Sequence, residues 1–103
     1  MARILHLTAS NARRGAETFA YELADHLRGA GHEVRVMCVV GEDLPNALPI
    51  EIAGTQRRSP RTFRNVLAAA RWSDMVTSFG SISLQSAASA TTLARKPFVY
   101  RNI

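Results

Sequence analysis

The chain has 103 residues, a formal net charge of +5, 47% hydrophobic residues and one cysteine. That length holds at most one domain, small for an α/β protein, and the lone Cys38 sets aside a disulfide framework and a cysteine metal cluster. The positive balance is almost wholly arginine, Lys96 being the only lysine.

Such a charge suits anionic lipid, a phosphorylated ligand or nucleic acid alike. Nucleic acid is the least supported partner, because there is no basic helix interleaved with aromatics and no DNA- or RNA-binding motif. No stretch approaches the length of a membrane span, and the first residues lack the basic, apolar, small-residue order of a signal peptide. The location this implies is cytoplasmic.

Residues 4–7 form an apolar run that reads as a strand, followed by a polar loop over 8–14. Gly15 then opens a helical pattern with Ala16, Phe19, Ala20, Leu23, Leu27 and Ala30 on one face. A strand, loop and helix in that order aim the loop and the first helix amides beyond the carboxyl end of the strand, where an anion can bind. Gly15 would supply backbone freedom and close approach, and Arg13 and Arg14 would add positive charge. The plainer alternative is a tight turn with solvated arginines, since one glycine is far short of a full phosphate-loop pattern.

Gly29 and Gly31 bracket the turn into a second strand over 34–40, with His32 and Glu33 exposed beside them. This Gly-x-Gly pair follows a helix and precedes a strand, the reverse of a dinucleotide fingerprint, so it reads as a helix stop. Residues 41–49 form a loop broken by Pro45, Asn46 and Pro49. A short strand over 50–53 alternates Glu51 with apolar neighbours and belongs at the sheet edge.

The most basic segment follows, with Arg57, Arg58, Arg61 and Arg64 around a helix start that has Ser59 as cap and Pro60 in the first turn. Phe63, Val66, Leu67 and Ala70 make its apolar stripe. Cations at the positive end of a helix are unfavourable. Contact with anionic lipid head groups or a charged acceptor would relieve that conflict, and a solvated basic face is the alternative.

A fourth strand over 75–78 ends in Phe79 and Gly80, a helix rich in small residues spans 81–94, and a fifth strand spans 98–101. Alternating strands and helices imply parallel pairing through right-handed crossovers. The fold expected is a Rossmann-like three-layer α/β/α sandwich on a mostly parallel five-stranded sheet of order 3-2-1-4-5, incomplete at its C-terminal edge. Ser10 and Asn11 in the first loop would then face Ser78 and Gly80 across the crevice between strands one and four. The open edge of the fifth strand predicts self-association or low stability.

Gly80-Ser81-Ile82-Ser83-Leu84 falls short of a hydrolase nucleophile elbow, because Leu84 stands where a second glycine is needed and no His or Asp follows. His6, His26 and His32 lack metal-ligand spacing; His6 reads as a core histidine with one hydrogen bond. Glu17 suits the head of the first helix, and no cofactor is implied.

Arg3-Ile4-Leu5-His6-Leu7, Arg14-Gly15-Ala16-Glu17-Thr18, Leu23-Ala24-Asp25-His26-Leu27 and Gly31-His32-Glu33-Val34-Arg35-Val36, taken in this order and spacing, resemble the N-terminal domain of family 4 glycosyltransferases, the retaining GT-B enzymes. Ser73-Asp74-Met75-Val76 and the closing Lys96-Pro97-Phe98-Val99-Tyr100-Arg101-Asn102 extend the resemblance along the whole chain.

The resemblance implies one acceptor-side domain over residues 1–103 that, with a second domain, encloses a nucleotide-sugar donor. Gly15, with Arg14 and Ala16, would approach the donor diphosphate, and Ser10, Asn11, Ser78 and Gly80 would line the acceptor side. Arg14 replaces the first of the family's two usual glycines, and Ser78-Phe79-Gly80 stands where many members carry a His-rich turn, so no catalytic histidine is implied. The family's donor pocket and paired glutamates belong to the second domain, so the chain is expected to be a partial enzyme, inactive by itself. It would be cytoplasmic, with peripheral contact at the inner membrane face. A non-catalytic α/β module that binds a phosphorylated ligand or mediates assembly is the rival reading.

Overall fold

The structure is a computed structural model that describes residues 2–13, 15–41, 45–55, 59–79 and 98–101, the last segment as backbone. Its elements are β1 (Arg3–Thr8), α1 (Gly15–Gly29), β2 (Glu33–Val40), β3 (Glu51–Gly54), α2 (Pro60–Trp72) and β4 (Met75–Phe79). These four strands form a parallel sheet in the order β3-β2-β1-β4. A further strand, β5 (Phe98–Arg101), runs parallel along β4 with Val76 opposite Phe98 and Phe79 opposite Arg101. Arg14, Arg57, Arg58, Gly80, Lys96, Pro97 and the helix predicted over 81–94 lie outside the described residues.

Strand periodicity divides the core between the two faces of the sheet. Leu5, Leu7, Met37, Val39, Ala53 and Val76 point to one side and meet Val66, Ala69 and Ala70 of α2. Ile4, Val34 and Val36 point to the other and meet Ala24 of α1. One helix therefore covers each face, which is why strands β1 and β2 are apolar on both sides. Arg35, on the α2 side of β2, binds Glu51 of the neighbouring strand at 2.7 Å and lies 5.0 Å over the ring of Trp72.

Local chemistry sets the boundaries. Ser59 caps α2 by accepting from the Arg61 amide, with Pro60 in the first turn. Gly31 ends α1 at φ 96°, its N–H donating to Arg28 O at 3.0 Å while the His32 N–H donates to Leu27 O at 3.1 Å. That pair of bonds is a Schellman motif. His32 is half-buried rather than exposed, because its Nδ1 accepts the Ala2 N–H at 3.1 Å. β3 starts at Glu51 rather than Ile50, whose N–H turns back onto Leu48 O at 2.9 Å.

The buried face of α1 is rotated from the expected stripe. Glu17, Ala20 and Ala24 are buried, while Phe19 is 36% exposed and Ala30 is exposed. The small alanines let the helix axis approach the sheet, which pushes the bulkier side chains to the flanks.

Candidate functional site

The parallel register puts Thr8 beside Phe79, so β1 and β4 end together at the carboxyl edge of the sheet. α1 follows β1 over one face and α2 precedes β4 over the other, which makes this edge a topological switch point. The loop after β1 is held there by the chain's own donors. Ala9 O accepts the Val40 N–H at 3.2 Å and Asn11 O accepts the Leu48 N–H at 2.8 Å. Ser10 O, between them, accepts the Thr8 hydroxyl at 2.9 Å. Three successive carbonyls, each of which would repel an anion, are thereby engaged by the fold.

Ser10 ties the loop to the helix. Its hydroxyl donates to Glu17 Oε2 at 2.9 Å and accepts the Ala12 N–H at 3.3 Å. Glu17 lies in the first turn of α1 and is only 5% exposed. A carboxylate this close to the helix head opposes an external anion, but it sits on the sheet side of the loop, near Cys38. Burial, with a smaller contribution from Glu17, pushes the Cys38 thiol up to about 11. Cys38 is fully enclosed, so it packs as a small apolar group.

Gly15 does not use the backbone freedom that its residue type offers. Its φ is outside the left-handed region and a Cβ built on it would meet nothing within 4 Å. Neither backbone strain nor packing within the described chain requires glycine there; the space beside it is open. Ala16 is half-buried and Arg13 is exposed. Arg13 and Ala12 line an open depression of about 510 Å³ together with Pro45 and Asn46, between the loops that follow β1 and β2.

The other side of the loop is filled. Phe79 is buried, with its ring 4.8 Å from His6 and 6.0 Å from Phe19. His6 is buried as well, and its Nδ1–H donates to Ala20 O at 3.0 Å. Burial and the positive Arg28 hold the imidazole below its ordinary value, against the opposing effect of the Ala20 bond. Ser78 corrects its expected place on the cleft lip: it is fully enclosed on the α2 side, beside Leu7. Asn11 is buried and Ser10 half-buried, so both build the loop.

Arg61 and Arg64 are exposed on the first turns of α2, which carry no acidic residue. Arg61, Ser59 and Thr55 border a second depression of about 270 Å³ at the same edge of the sheet. No cluster of three or more His, Cys, Asp or Glu able to hold a metal occurs among the described residues, and no helix among them is long and apolar enough to cross a membrane.

Glu17 is the residue that sequence reasoning placed correctly and valued too little. Its seven-residue distance from Ser10 fits no capping box, so only the bend of the loop brings the two together. No protein-family model matches the chain, and no curated protein matches it.

Proposed function

We propose that this chain is the acceptor-side N-terminal portion of a retaining GT-B glycosyltransferase, which transfers a sugar from a nucleotide-sugar donor to an acceptor. The fold it would use is a Rossmann-like five-stranded α/β/α sandwich, of which the four-stranded parallel sheet and two helices are the coarser part. One observation carries the reading. The loop after β1 sits at the switch point with three consecutive carbonyls engaged inward and an open surface at Arg13 and Gly15. The order of motifs in the first 36 residues, which resembles that family, supports it as well.

In this role the head of α1 would attract the diphosphate through its amides and through Arg13, while a second domain binds the nucleotide. A site made of one helix head and an exposed guanidinium gives about millimolar affinity at best. Calorimetry with uridine, guanosine and adenosine diphosphates tests this, with the nucleosides as controls. Weak binding of the diphosphates and none of the nucleosides is the result expected. Equal binding of both groups, or turnover of a nucleotide sugar by the purified chain alone, would contradict it.

A further inference from the structure

Glu17 is buried and accepts the Ser10 hydroxyl, and binding of a diphosphate at the helix head does not itself use it. We infer that Glu17 is a positioning residue, acting through the Ser10 hydroxyl to hold the loop after β1 in the form that receives a ligand. This rests on the proposed function for the meaning of the loop, but the mechanical part stands on geometry alone.

Ser10 is the junction. Its hydroxyl proton goes to Glu17, which leaves the oxygen lone pairs free to accept the Ala12 N–H. The same residue's carbonyl takes the Thr8 hydroxyl. Three bonds thus meet on one side chain and its backbone, and each fixes a different part of the loop. A carboxylate is a stronger acceptor than an amide or hydroxyl, so it orients the Ser10 hydroxyl firmly. Without it, the hydroxyl can turn to solvent and the Ala12 amide loses its defined partner. The neighbouring carbonyls of Ala9 and Asn11 accept the Val40 and Leu48 amides. Those two amides, outside the loop, report on its order.

Amide hydrogen exchange on the full chain tests the inference, with wild type compared against Ser10→Ala, Glu17→Ala, Glu17→Gln and the Ser10→Ala/Glu17→Ala double variant. Loss of about one charge-assisted hydrogen bond should speed exchange at Val40 and Leu48 roughly tenfold in either alanine variant. The double variant should add little, because both substitutions remove the same link. Glu17→Gln should keep most of the protection, since its amide oxygen accepts the same hydroxyl. Unchanged exchange, multiplied effects in the double variant, or a Gln variant as fast as Ala would overturn the inference. If Glu17→Ala fails to fold, Ser10→Ala against Glu17→Gln decides the same question.

Uridine diphosphate binding separates the two claims. A wild-type chain that does not bind it refutes the proposed function, whatever the exchange shows. A wild-type chain that binds it, with affinity unchanged in Ser10→Ala and Glu17→Ala, refutes the positioning role.

Discussion

His6 shows how much one buried polar side chain can constrain. It lies in an otherwise apolar run, with one ring nitrogen bonded to Ala20 O and its edge against Phe79. The unfolded chain titrates at the ordinary 6.5 and the folded chain lower, so the unfolded state binds more protons between the two values. The stability due to the neutral ring is therefore complete above 6.5 and is lost as pH falls from there through the folded value. Unfolding free energies from pH 7.5 to 5 should decline for wild type and stay flatter for His6→Gln; parallel slopes would argue against this. Gly54 is a second single-residue constraint, since a Cβ there would collide with the buried Thr62 Oγ1. Gly54→Ala should lower stability by about 1–3 kcal/mol in urea unfolding, and no loss would mean that α2 shifts freely. The core role of His6 was legible because an isolated histidine within an apolar strand has few alternatives. The weight of Glu17 was not, since first-turn acidic residues are usually solvated and its partner lies across a loop bend.

At the level of elements, helix and strand ends were read most securely where a specific residue type makes the stop. Ser59 and Pro60 at the head of α2 and Gly31 after α1 act as their chemistry predicts. Gly31→Ala would place a Cβ in the left-handed region and should cost about 1–2 kcal/mol by thermal or urea unfolding. A neutral effect would mean that the turn relaxes to another geometry. The face of α1 was harder to read, because alanines on several sides allow more than one apolar stripe. The sheet resolved that ambiguity in favour of Ala20 and Ala24, with Glu17 admitted by its bond to Ser10. The start of β3 moved by one residue for a local reason, the turn bond from Ile50 to Leu48, which no pattern of apolar residues encodes.

For the whole molecule, the order β3-β2-β1-β4 was legible from the alternation of strands and helices together with the usual winding of such sheets, because right-handed parallel crossovers leave few arrangements. The open surface at the carboxyl edge was not. It lies between the loops after β1 and β2, whereas Phe79, His6 and Phe19 occupy the α1 face toward β4. The volumes of aromatic side chains at the end of a strand decide that, and volume is not visible in spacing. Two places at this edge present exposed positive charge, the head of α1 with Arg13 and the head of α2 with Arg61 and Arg64. We place the proposed ligand at the first. The direct measurement is a backbone amide chemical-shift titration of the labelled chain with inorganic pyrophosphate. Shifts concentrated at Ala12, Arg13 and the first turn of α1 are predicted. Shifts centred on Arg61 to Arg64, with the α1 head unmoved, would contradict it.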